Sequence, residues 1–77
     1  MKIYLEPVEV EPPTGKPRRI QWRRQRYNVE AVVDFWISQT RWWSREEKRT
    51  YLRLMTDRGM MEIYRNGVAW MLSRVAD

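Results

Sequence analysis

Hydrophobic and polar side chains alternate with a period of two along most of this chain, most cleanly from Lys48 to Val75. Period two is the signature of a half-buried strand. Two turn signals, Asp57-Arg58-Gly59 and Asn66-Gly67, cut the stretch into three, which predicts a three-stranded antiparallel meander. Asn-Gly suits a two-residue hairpin whose central residues both need positive φ. A turn there sets Arg65 opposite Val68, Tyr64 opposite Ala69, Ile63 opposite Trp70 and Met61 opposite Leu72, and gives Met61, Ile63, Trp70 and Leu72 one apolar face. Only an even loop at the other turn brings Leu52 and Leu54 onto that face. A loop from Thr56 to Gly59 does so, pairing Leu54 with Met61, Leu52 with Ile63, and Arg53 with Glu62 on the outer side.

Upstream, Lys2 to Val10 alternates but is split by Pro7, which lacks an N–H. Such a strand belongs at a sheet edge, or crosses from one sheet to another. Residues 11–17, EPPTGKP, read as a mobile proline-rich loop. RRIQWR then turns Ile20 and Trp22 inward and Arg19, Gln21 and Arg23 outward, and after a break at Arg24-Gln25 the alternation resumes at Tyr27, Val29 and Ala31. This second hairpin has no glycine at its break, so Arg24 or Gln25 is expected at positive φ. Residues 30–43 fit a helical or an extended pattern, but Val32, Val33, Phe35, Trp36 and Ile37 are β-branched or aromatic and nothing caps a helix before them. A long bent strand is the expectation, with one helical turn near 31–38 as the alternative. Ser44 to Glu47 reads as a polar connection. About six strands in 77 residues imply one small all-β domain, mainly antiparallel, a barrel or roll.

Composition narrows the chemistry. The chain has no histidine and no cysteine, which removes the commonest general base, the thiol nucleophile and the usual zinc ligands. Glu46 and Glu47 are adjacent in a polar segment, Asp57 belongs to a turn and Glu62 faces Arg53, so each carboxylate has a structural explanation. No enzyme and no cofactor are expected. No apolar run approaches the roughly 20 residues that a membrane helix needs, and nothing resembles a signal peptide, so a cytoplasmic location is expected.

The formal charge of +5 is uneven: residues 17–49 hold nine basic and four acidic side chains. Arg18, Arg19, Arg23, Arg24 and Arg26 cluster around one hairpin, and Arg41 stands beside Trp42 and Trp43. Cations interleaved with aromatic rings suit a nucleic acid, whose phosphates meet the charges and whose bases stack. A basic but merely solvated hairpin is the competing reading. Trp42 and Trp43 point to opposite faces if they continue a strand, so at most one belongs to the core, and the other covers the barrel's open end, stacks on a cation such as Arg41 or Arg45, or forms a binding platform. Trp22 and Trp70 belong to the core. Tyr51 and Tyr64 are cross-strand neighbours on the outer face, either a second packed layer or a protein interface.

Two stretches carry a resemblance. Glu6 to Val10, then Ile20, Trp22, Arg23, Arg26, Tyr27, Val29, Val33, Asp34, Trp36, Trp42 and Trp43, resemble a family of short bacterial proteins of uncharacterised role. The WW pair and the following RTYLRLMTDRGMMEIYRNGVAWMLSRVAD are similar to the carboxy-terminal tail of mutasome-type Y-family DNA polymerase homologues, with Asp57-Arg58-Gly59 where that tail more often has Asp-Gly. The tail lies outside the catalytic domain, so no catalytic residue transfers. The resemblance implies an accessory role in DNA repair or translesion synthesis. Expected partners are nucleic acid, or in the alternative a DNA polymerase or repair protein docking on Tyr51 and Tyr64. The chain is expected to be a monomer, with a homodimer through the edge strand Lys2 to Val10 as the other possibility.

Overall fold

In the computed structural model, which describes residues 2–12, 15–42, 45–67 and 69–75, the chain is all-β and antiparallel. The described residues form seven strands, one more than expected: β1 (Lys2–Pro7), β2 (Glu9–Glu11), β3 (Arg19–Trp22), β4 (Gln25–Trp42), β5 (Arg45–Thr56), β6 (Gly59–Asn66) and β7 (Ala69–Val75). Their order across the sheet is β1-β7-β6-β5-β4-β3-β2. The two edge strands are thus consecutive in the chain. Pro7 ends β1 and Val8 carries the chain to the opposite edge, its N–H donating to the Trp70 carbonyl at 3.1 Å. The crossing read from Pro7 is what nearly closes the sheet into a barrel.

The meander from β5 to β7 follows the alternation. Leu54 pairs with Met61, Leu52 with Ile63 and Arg53 with Glu62, as the even loop requires. The Thr56 hydroxyl donates to the Gly59 carbonyl at 2.7 Å and accepts from the Arg58 N–H at 3.1 Å, which ties the turn shut. The last hairpin differs by two residues from expectation. Asn66 pairs with Ala69, Arg65 with Trp70 and Ile63 with Leu72, so the turn is one step later than Asn66-Gly67. Gly67 alone of that dipeptide has positive φ, +68°. A two-residue slip preserves parity, so Met61, Ile63, Trp70 and Leu72 still share the buried face.

Two bulges shape β4. In its pairing with β5 the register shifts between Val29 and Ala31 and again between Val32 and Asp34. The first turns Ala31 outward, against expectation, and hands its inward place to Val32 beside Leu54. The second restores the phase so that Phe35 lies opposite Leu52. No helical turn forms at 31–38, and bulges supply the bend instead. Residues 45–47, read as a connection, already belong to β5, and Trp42 pairs with Arg45.

The core joins both halves of the barrel: Ile20, Trp22 and Tyr27 from the β3–β4 hairpin meet Leu54, Met61, Ile63, Trp70 and Leu72 from the meander, with Val8 and Val10 across the closure. Trp22 and Trp70 are buried as expected. In the segment read as a loop over 11–17, Glu11 lies in β2, Pro17 is buried, and the Arg18 N–H donates to the Glu11 carbonyl at 2.8 Å. Thr14 and Pro13 lie outside the described residues. Beyond Asn28, β4 loses β3 as a neighbour while its pairing with β5 continues to Trp42. The hairpin thereby runs past the end of β3, and the molecule measures 40 × 26 × 23 Å.

Candidate nucleic-acid interface

Trp22 pairs with Gln25, so Arg23 and Arg24 are the two loop residues of the β3–β4 hairpin. Their φ values are +53° and +68°. That is the backbone a tight hairpin demands, imposed here on two arginines in place of the usual asparagine and glycine. For an L-residue with a side chain this conformation costs on the order of 1 kcal/mol. The expected strain at Arg24 is present, and its neighbour is Arg23 rather than Gln25.

The arginines around this turn divide into two groups. Arg23 reaches the Glu6 carboxylate with its Nε at 3.2 Å and its Nη2 at 2.6 Å, and its guanidinium lies 4.6 Å from the centre of the Trp22 ring. Arg19 faces Glu11 across β2 and β3, 3.6 Å from its carboxylate. Arg18, Arg24 and Arg26 are exposed and make no ion pair among the described residues. Arg58 adds a cation on the same side, its Nε donating to the Arg26 carbonyl at 3.3 Å and its guanidinium 5.9 Å from the Tyr27 ring. Asp57 beside it binds Asn28, accepting from its N–H at 3.0 Å and its Nδ2 at 2.9 Å. These bonds hold the Asp57 carboxyl below its ordinary range. The Arg23 hydrogen bonds do the same for Glu6.

The remaining expected site residues lie elsewhere. Arg41 and Trp42 close β4, at the opposite end of that strand from the arginine turn. Their side chains, and Trp43 altogether, are outside the described residues. The regular run from Asp34 to Trp42, eight residue steps, alone advances roughly 26 Å, and Arg26 lies a further eight residues back along β4, so the two groups do not form one face. The aromatic rings near the turn, Trp22 and Tyr27, are buried. The turn therefore offers charge without an exposed ring of Trp22 or Tyr27 beside it.

Tyr51 and Tyr64 are the second packed layer. Trp36 stacks on Tyr51 with centroids 5.3 Å apart and planes 2° from parallel, and Tyr51 meets Tyr64 at 5.2 Å. Arg49 and Arg53 lie over Tyr64 and Trp36 at 4.8 and 5.4 Å. Tyr64 is only 5% exposed, so this row presents little of that ring to a partner. The next row alternates charge across four strands, with Asp34 opposite Arg53, Arg53 opposite Glu62, and Glu62 opposite Arg74. Glu62 is nearly buried and lies 3.5 Å from Arg53 and 3.7 Å from Arg74.

Sequence reading missed the apolar residues left outside. Val33, Phe35 and Ile37 are 51%, 67% and 57% exposed, on the stretch of β4 that has outrun β3. Their alternation was visible, but the absence of a neighbouring strand was not. Arg58 was also missed, because its place beside Arg26 depends on the β5–β6 turn reaching β4.

Among the described residues, no group of three or more acidic side chains is placed to hold a metal ion, and no helix is long and apolar enough to cross a membrane. Fold and site together define a small, nearly closed antiparallel barrel with a basic turn at one end and a projecting hairpin at the other. Comparison with protein families, with curated proteins and with solved structures finds no match to this chain.

Proposed function

We propose that the chain is a non-enzymatic accessory module that binds nucleic acid through the Arg23-Arg24 turn, gripping the phosphate backbone. The carrying observation is the backbone of the turn: positive φ at Arg23 and Arg24, at a cost in stability, puts the Arg24 cation at the tip of the hairpin with no ion pair among the described residues. Arg18, Arg24 and Arg26 supply the contacts to phosphate, while Arg23 is fixed by Glu6 and Arg19 is offset by Glu11. From Arg18 to the turn the strand covers about 13 Å, enough for a short track along one backbone. With both nearby rings buried, the grip takes charge and not bases, so single and double strands are bound through the same contacts and with no sequence preference. The likeness to polymerase tails makes DNA under repair the natural ligand.

The test is a salt series of fluorescence anisotropy titrations with labelled single- and double-stranded DNA. Three phosphate contacts give a log–log slope of about −2.7 on duplex and about −2 on single strands. Reversing charge at Arg18, Arg24 and Arg26 together abolishes binding. An unchanged affinity in that variant, or no binding by the parent protein at low salt, refutes the reading.

A further inference from the structure

We infer that the projecting part of β4 is a pairing edge for a second copy of this chain, forming a two-fold antiparallel dimer centred on Trp36. The argument begins with which peptide groups face outward. Thr56 and Gly59 close a two-residue loop, so they form a hydrogen-bonded pair and the Thr56 peptide faces β6. Alternation then turns Arg53 and Tyr51 toward β4. Their partners Asp34 and Trp36 face β5, which leaves Phe35 and Ile37 facing away from it. The Phe35 N–H points the same way and is held by the Asp34 carboxylate at 2.8 Å, a bond it exchanges for the Ile37 carbonyl of the second copy when the edges pair. Beyond Asn28, no strand among the described residues pairs with that edge.

Exposed edges in soluble proteins are usually blunted by proline, lysine, bulges or extreme shortness. From Asp34 to Thr40 this edge has no proline, no lysine and no bulge, and its regular pairing with β5 is unbroken. It carries Phe35 and Ile37, more than half exposed, on the face that inside the barrel covers the core. An edge with no partner strand among the described residues and an apolar face thus coincide.

The occupant follows from charge and symmetry. Asp34 is the only charged residue between 31 and 40, so the segment offers a charged peptide almost nothing to pair with. A second copy fits it. Turned two-fold about Trp36, each Phe35 lies opposite Ile37 of the second copy, Asp34 lies opposite Ser38, and no like charges meet. The arginine turns stay at the far ends of β4, away from the contact, and residues 34–49 carry four basic and three acidic side chains, so little net charge opposes the approach.

Sedimentation equilibrium of the full chain from micromolar to about millimolar concentration tests the inference. The parent protein dimerises reversibly. Ile37→Lys, which places a charge on an exposed edge side chain, raises the dimer dissociation constant at least about tenfold, and Ile37→Pro, which removes an outward N–H, does the same. Near-UV circular dichroism shows whether each variant stays folded; if the proline unfolds the barrel, the lysine variant carries the test. Because the chain lacks cysteine, Asp34→Cys chains mixed with Ser38→Cys chains place thiols opposite each other across the proposed axis, and mild oxidation links the two kinds of chain there, whereas Thr50→Cys on the neighbouring strand links none. A monomer across the whole range overturns the inference, as does a dimer indifferent to Ile37→Lys or one that links through Thr50→Cys and not between Asp34→Cys and Ser38→Cys.

Discussion

Arg23, at the tip of the β3–β4 hairpin, donates to both carboxylate oxygens of Glu6 in β1, at 3.2 and 2.6 Å. The two residues come from strands that are not neighbours in the sheet, so the contact crosses the seam where the barrel nearly closes. A two-point bond also fixes the direction of the guanidinium. Seam and turn are held by one ion pair.

Both partners are substantially exposed, so the contribution is modest and screened by salt. The expected outcome is a lower urea midpoint for Glu6→Gln and for Arg23→Gln, with the double variant no worse than either. Adding salt should shrink the difference from the parent protein. Additive losses in the double variant would show that the two residues act independently.

Acid should weaken the fold through the same carboxylate. Glu6 is held below its ordinary value near 4.5 by the Arg23 hydrogen bonds, and Asp57 below 3.8 by the bonds from Asn28. A carboxyl whose folded pKa is depressed adds stability above its unfolded value and loses it as pH falls through the folded one. With no histidine in the chain, no side chain of ordinary pKa titrates between pH 5 and pH 7. Urea midpoints are therefore expected to be level from pH 7 to about 5 and to drop as pH falls below the ordinary carboxylate range. Glu6→Gln with Asp57→Asn should flatten the drop. A steep loss already between pH 7 and 6 would contradict this account.

The strained turn predicts a conflict between stability and binding. Arg24 sits at φ +68°, which glycine adopts freely. Arg24→Gly is expected to stabilise the chain by about 1 kcal/mol, raising the thermal midpoint by about 4–8 °C. Arg24→Ala, which keeps a Cβ, should give no such gain. Both should weaken DNA binding equally, because each removes one cation. A glycine variant no more stable than the alanine variant would refute the claim of strain.

How much of this was legible in the sequence depended on whether parity or distance decided it. Leu54 had to meet Met61 because one apolar face had to be continuous, and the Arg53–Glu62 pair followed from the same count. Asn66-Gly67 announced a hairpin but not its register, since Gly67 alone can meet the need for positive φ while Asn66 pairs with Ala69. The slip was harmless to the core because it was even. The bulges after Val29 and Val32 were hidden, because a strand with two phase shifts shows correct alternation on either side of them. The site was less legible than the fold. Glu6 and Arg23 are 17 residues apart and meet only once the seam forms, and the distance between the arginine turn and Trp42 required knowing that one strand joins them.

The projecting hairpin needs something to keep it extended where β3 no longer supports it, and the aromatic row on its outer face provides this. Trp36 and Tyr51 are directly opposed and nearly coplanar in stacking, 5.3 Å apart, with Tyr64 behind them and Arg53 across the indole. Stacking of this kind adds about 0.5–1.5 kcal/mol beyond the area it buries. In a double-mutant cycle of Trp36→Leu and Tyr51→Leu, the coupling is expected to be about 1 kcal/mol. Leucine keeps the site apolar, so the cycle isolates the ring–ring contact. The single variants should also speed hydrogen exchange in residues 34–39 and 48–52 while leaving the barrel strands near Leu54 and Ile63 protected, since the hairpin opens locally before the core does. Simple additivity, with no selective loss of protection in the hairpin, would mean that backbone pairing with β5 alone holds it out.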